Sequence, residues 1–270
     1  MLVFHDYQIS RYSHWVYIFV LRKFTGTQKV YLPGQVIAPE GKKMTSDQYN
    51  NQYRYRQAVP PTDDSVYGRV IRPNFIVFGI IAACTIVFVL ELMDWNTMLS
   101  LFAMRPDYLM PWMFVTSIFM HGDFSHLFFN MFMLFMFGMT LERMIGHKLF
   151  LSLFLTAGIV GNLGYVIYCL ATGSVIPAIG ASGAIYGIFA CLVILAPDIK
   201  VYLFFFLPMK IVHAFLLYAA IDILFLSTND SVAHAAHLAG AAVGLAFGWY
   251  IKKKIAEAQA YKVSYSFNSR

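Results

Sequence analysis

From residue 73 onward the chain is a series of apolar stretches separated by short polar punctuation. Pro73 to Met93 carries no charge until Glu91, and Phe124 to Leu141 runs apolar until Glu142 and Arg143. Lys148 to Leu170, Ser182 to Pro197, Ile211 to Leu226 and Ala233 to Ile251 follow, the last closed by Lys252, Lys253 and Lys254. About 20 apolar residues at 1.5 Å each match a hydrocarbon core of about 30 Å, so the pattern predicts six membrane-crossing helices. The fourth is short: Ser182 to Ala196 makes only about 22 Å of helix. If its inner end reaches one face, Ser182 lies below the other, approached through irregular chain that only protein or a water-filled hollow can surround. The connection from Asp94 to Gly122 is itself apolar from Tyr108 to Met120, broken at Pro106, Pro111 and Trp112, and is expected to lie against the bundle or in the interface. Residues 1 to 70 are mostly polar. Their apolar patch, Trp15 to Leu21, is too brief to span and suits a surface-lying helix or part of a soluble cap, and Pro60 to Arg72 reads as a linker.

Composition supports a membrane protein. Of 270 residues, 59% are hydrophobic and 13% charged, and the mean hydropathy is +0.61; soluble domains are about half apolar and a quarter charged. Cys84, Cys169 and Cys191 lie inside apolar runs and read as small fillers, with neither a disulfide frame nor a zinc motif. Twenty Lys and Arg outnumber fourteen Asp and Glu. Nineteen of the twenty fall in alternate connections and both ends, leaving Arg105 alone on the other side. That is the asymmetry of an oriented membrane protein, so both termini are expected to be cytoplasmic and nucleic acid is not an expected partner. The expected organisation is an N-terminal cytoplasmic region over 1–70, a six-span domain over 71–253 and a short basic tail over 254–270, in a bacterial plasma membrane.

With that orientation the second, fourth and sixth spans enter from the same side. They bring His126, Asn130, Ser182 and His237 to a common depth. A lone serine in an apolar helix is usually a packing residue, but a hydroxyl becomes a nucleophile when a histidine takes its proton. His237 is the best-placed base. It precedes Gly240, Gly244 and Gly248, while the fourth span has Gly183 and Gly187 at the same four-residue step; small-residue ridges of this kind let helices approach closely in lipid. Tyr186, one turn after Ser182, is expected to stack on the imidazole. Backbone amides near Ala181 to Gly183 lack intrahelical acceptors at the start of a helix, and His126 and Asn130 share a face, so both sets can supply donors to an oxyanion. His121 is expected to brace the loop. No His-Glu-x-x-His occurs, and no metal or cofactor is expected. Asp222, an acid inside the fifth span, is open to several roles: facing the cavity, contacting a Lys or His of a neighbour, or staying protonated. A structural role ranks first, and a place in a triad is not expected.

Three segments carry a family resemblance: His121 to Asn130 as His-Gly-Asp-Phe-Ser-His-Leu-Phe-Phe-Asn, Gly180 to Gly183 as Gly-Ala-Ser-Gly, and Ala236 to Gly240 as Ala-His-Leu-Ala-Gly, with Gly244. In order and spacing the chain resembles the rhomboid intramembrane serine proteases over roughly Pro73 to Lys252. The resemblance implies an all-α, polytopic six-helix bundle and a dyad of Ser182 and His237. It implies an oxyanion site from His126, Asn130 and the Ser182 amide, and cleavage of transmembrane-protein substrates near the outer face. It also implies that Glu142 helps to hold the long first loop. Two departures concern that loop: Trp112 is followed by Met113 where many members carry arginine, and Met144 stands where a basic residue is common.

The competing reading is a non-proteolytic relative that binds or escorts membrane proteins; such relatives typically lack the serine or the histidine, and this chain has both. Solute transport would require paired interrupted spans from an internal repeat, which the sequence does not contain.

Overall fold

A computed structural model describes residues 36–37, 43–44, 74–203, 206–228 and 233–268, the first four, Leu203 and the last eleven of these by backbone alone. The chain divides into two units, Met1–Arg72 and Pro73–Arg270. In the first, β1 (Val36–Ile37) pairs antiparallel with β2 (Lys43–Met44). The Trp15 patch and the Pro60 linker lie outside the described residues.

The second unit is mostly helical. Its helices are α1 (Phe75–Met93), α2 (Trp95–Phe102), α3 (Met113–Thr116), α4 (Phe124–Ile145), α5 (His147–Thr172), α6 (Ser182–Leu195), α7 (Ile211–Phe225) and α8 (His234–Asn268). Among the described residues α1, α4 and α5 are long and apolar enough to cross a membrane, and α6 and α7 are shorter apolar helices. α8 continues as one helix through the expected basic tail. α4 contains a π-helical turn at Leu134–Gly138. Such a turn rotates the residues beyond it; within it, Phe137 stacks on Phe189 of α6 with ring centroids 4.7 Å apart.

The all-α fold implied by the resemblance needs a correction, because the described residues also include strands. β3 (Lys200–Leu203) and β4 (Leu207–Lys210) form an antiparallel hairpin between α6 and α7, with Lys200 opposite Lys210. The uniformly apolar run through this segment offers no alternation from which to read a strand.

α6 is the enclosed helix. Nine of its fourteen residues are buried, all of those from Gly183 to Leu192 except Tyr186, and the core gathers around it from α1, α4, α5, α7 and α8. The glycine steps do what their spacing predicts. A Cβ on Gly240 would collide with the Gly183 carbonyl, and one on Gly244 with the Gly187 carbonyl. Backbone therefore meets backbone along the α6–α8 seam, and that contact sets the start of α6 beside the start of α8. The three cysteines are buried and unpaired, as fillers should be.

The connection between α1 and α4 packs down rather than dangling: Met104, Met113, Ile118 and Met120 are buried, while Tyr108, Leu109 and Trp112 face outward. With no arginine to hold it, it is tied by amide and hydroxyl groups. Asn162 of α5 donates to the Phe114 carbonyl and to Ser117 Oγ, both at 2.9 Å. Thr116 donates to the Phe102 carbonyl and the Trp112 indole to the Leu101 carbonyl, each at 2.8 Å. Glu142 does not reach this loop. Its carboxylate accepts from the Ile76 and Val77 amides at 3.0 and 3.1 Å, and His147 Nδ1 lies 2.5 Å from Oε1. It thereby caps the N-terminus of α1, where a helix presents unsatisfied donors and a positive dipole end. The acid serving the loop is Glu91, which accepts from the His121 amide at 3.0 Å.

Candidate active site

Ser182 opens α6, and the chain leading to it is fixed from both sides. Met104 and Ala178 exchange backbone hydrogen bonds at 2.9 Å, and the Gly180 amide donates to the Ser117 carbonyl at 2.8 Å. Gly180 has φ +120°, a conformation that side chains rarely adopt, and a Cβ there would sit 2.8 Å from His126 Nε2. A glycine before the serine thus lets the His126 ring approach the serine's own turn. A partly open hollow lies alongside, lined by Asn162, Ile179, Gly180, Ser182, Gly183 and Ala236, among others.

The seam delivers the expected pair: Ser182 Oγ and His237 Nε2 are 2.8 Å apart. The Tyr186 ring lies parallel to the imidazole, at 9° with centroids 4.3 Å apart, so the stack holds the ring plane. On its other edge, His237 Nδ1 meets Asp222 Oδ1 of α7 at 2.9 Å. The same oxygen receives His234 Nδ1 at 2.6 Å. Asp222 is 2% exposed and His237 8%. Of the roles the sequence left open for Asp222, contact with a neighbouring histidine is the one the structure has. Nδ1 of His237 thus faces a carboxylate oxygen and Nε2 faces the serine hydroxyl, so a ring with its proton on Nδ1 has a lone pair aimed at Oγ. The chemistry available is proton removal from Oγ.

The expected auxiliary groups are grouped around the same point, with one qualification of orientation. Asp123 caps α4 by accepting from the His126 amide at 2.8 Å, which sets the start of the helix that bears His126. The Gly122 amide donates to His126 Nδ1 at 3.4 Å, leaving the proton of the neutral ring on Nε2, the nitrogen beside Gly180. Asn130 is buried, but its amide nitrogen donates back to the His126 carbonyl at 2.9 Å, so only its second N–H is left for a ligand. The amides of Ser182 and Gly183, and that of Ala181 before them, stand where the first turn of α6 has no intrahelical acceptor to offer. His121 braces the loop: its amide is held by Glu91, its Nδ1 lies 3.2 Å from the Phe119 carbonyl, and its ring packs edge-on to His126 at 5.1 Å. Burial, with His126 as a neighbour, pushes the His121 imidazole down to about 4. Glu142 is not part of this cluster.

Asp222, His234 and His237 could also be read as three metal ligands, their donor atoms lying within 4.8 Å of one another. They are hydrogen-bonded to each other at 2.6 and 2.9 Å instead of being spread around a common centre. Sequence reasoning did not find Asp123, Asn162 or the second imidazole on Asp222. The Asp-x-x-His spacing before an apolar run was a capping signal for the first; a single Asn in an apolar helix gave no direction for the second.

Residues 108–254, more than half of the chain, match the family model of the Rhomboid domain. The chain belongs to the rhomboid family. It is 37% identical over 145 residues to "Rhomboid protein 1, mitochondrial" of Saccharomyces cerevisiae, covering 52% of this chain and 42% of that one. It is 31% identical over 184 residues to the human "Presenilin-associated rhomboid-like protein, mitochondrial", covering 65% and 47%. A Bacillus subtilis rhomboid is 44% identical over 79 residues, covering 29% and 38%. The matches thus span less than half the length of each of these rhomboid relatives. The two longer ones carry mitochondrial names, which does not fit the bacterial plasma membrane expected from the sequence.

Proposed function

We propose that this rhomboid is an intramembrane serine endopeptidase that cleaves transmembrane-protein substrates, with Ser182 as nucleophile and His237 as base. The observation that carries the reading is the 2.8 Å separation of Ser182 Oγ and His237 Nε2, on two helices that meet through glycines. In this reading α1, α4, α5, α6, α7 and the first part of α8 make six spans in the lipid bilayer, with both termini on one side and the serine recessed below the other.

Oγ attacks the scissile carbonyl as Nε2 takes its proton. The tetrahedral oxyanion accepts from the Ser182 amide and His126 Nε2, with Asn130 as an auxiliary donor. Collapse breaks the C–N bond, and the imidazolium returns the proton to the leaving amine. Water entering through the hollow then attacks the acyl-enzyme, with His237 again as base, and releases the second fragment. No cofactor is called for, and nucleic acid has no part.

The test is cleavage of a model single-span substrate by the purified protein in liposomes. Ser182→Ala is expected to abolish turnover and labelling by a fluorophosphonate; turnover that survives the substitution rejects the assignment. A wild-type protein that neither cleaves nor labels would favour the binding or escort role.

A further inference from the structure

We propose that Asp222 completes a Ser-His-Asp relay inside the membrane domain, as a positioning residue that fixes the tautomer of His237 and stabilises the imidazolium formed during attack. The inference rests on the protease reading and adds a third helix to its machinery.

Three observations support it. First, the contacts run in line: Asp222 Oδ1 to His237 Nδ1 at 2.9 Å, then His237 Nε2 to Ser182 Oγ at 2.8 Å. The carboxylate is on the ring nitrogen opposite the serine, where it acts on the base without touching the reacting atoms. Second, the acid stands in an apolar helix where a charge is costly unless paired. A structural pin between α7 and α8 is already provided by His234 at 2.6 Å. The second bond from the same oxygen is made to the base. Third, apart from its bond to Ser182 the imidazole is held by ring contacts: Tyr186 stacks on it and His234 meets it edge-on, and neither decides between the two neutral tautomers, while the serine hydroxyl can serve either one. The groups that face the relay are Ser182 and Tyr186 from α6, His234 and His237 from α8, and His126 from α4. Among these the carboxylate is the one group that can only accept, so it decides which nitrogen keeps the proton.

The proton balance is simple. Attack moves the Ser182 proton to Nε2 and leaves His237 doubly protonated. Asp222 accepts no proton; it faces the new positive charge through the Nδ1–H bond, and collapse of the intermediate sends the Nε2 proton to the leaving amine.

The experiment compares wild type, Ser182→Ala and Asp222→Asn in liposomes, reading kcat and KM separately, with thermal melting as the check on folding. Asparagine keeps the size of the side chain and can donate to Nδ1, which drives the ring into the wrong tautomer. The expected loss in kcat is roughly 10²- to 10⁴-fold, the upper end being that of the corresponding substitution in a soluble serine protease, with KM within about threefold. A kcat within about threefold of wild type overturns the proposal. An independent readout on the unaltered protein is nitrogen NMR of labelled histidine, which is expected to show His237 protonated on Nδ1 in the resting state; protonation on Nε2 overturns the proposal whatever the variant does. If Ser182→Ala remains active, the protease reading fails instead, so the two failures are distinguishable.

Discussion

The α6–α8 seam and the C-terminal half of α7 hold their parts of the site by different means. Along the seam, glycine backbones are in direct contact and no polar bond is needed to bring the two helices together. Van der Waals packing of this kind is unforgiving of added volume. In the C-terminal half of α7 the side chains of Ile221, Ile223 and Leu224 are exposed, and Asp222 is the buried residue. A carboxylate shared by two imidazoles ties that half to the bundle, with looser ring contacts from Tyr218 to Phe189 and from Phe225 to His234 beside it. Ser182 and His237 are thus set by rigid contact, and Asp222 behind the imidazole by hydrogen bonds that a sliding helix can break.

The largest way to break the contrast is Gly244→Leu. The added side chain has nowhere to go against the Gly187 backbone and is expected to cost about 3 kcal/mol or more, with loss of fluorophosphonate labelling. A labelled, stable Gly244→Leu protein would show that the seam is looser than its geometry. Acid tests the same end of the bundle more gently. His121 is fully buried, its Nε2 has no partner among the described residues, and its folded value of about 4 lies below the ordinary 6.5. The unfolded chain therefore binds the extra proton first. Its contribution is full above about pH 6.5 and disappears as the pH falls through 4. Melting temperature is expected to decline across that window, and the decline to be shallower in His121→Asn; equal slopes refute the assignment to this ring. The smallest effect is expected from Leu224→Ala on the exposed face of α7, within about 0.5 kcal/mol in stability and with unchanged kcat. A clear loss there would mean that the exposed face of α7 also packs against the bundle.

How much could be read beforehand follows the same division. Ser182, His237 and the glycine steps were legible because small residues at four-residue spacing specify both a helix face and a close approach, and the structure has the contact they imply. Asp222 was visible as an oddity but had no direction. α7 is apolar around its whole circumference, so no periodicity says which way residue 222 points, and only packing against α8 decides it. Glu142 was misplaced for a related reason: an acid after a span can serve either end of its neighbour, and it is the π turn in α4 and the start of α1 that determine the partners. Asn162 was passed over as one polar residue in a 26-residue helix, although it ties down the loop in which Met113 stands where many family members carry arginine.

The shared carboxylate has a consequence for order of events. Base and carboxylate sit on separate helices, so any outward swing of α7 parts them, and the imidazole is then free to take its idle form. On the proposed protease reading, a polypeptide entering beside α7 would meet a resting centre, and bond scission would wait until that helix had come home.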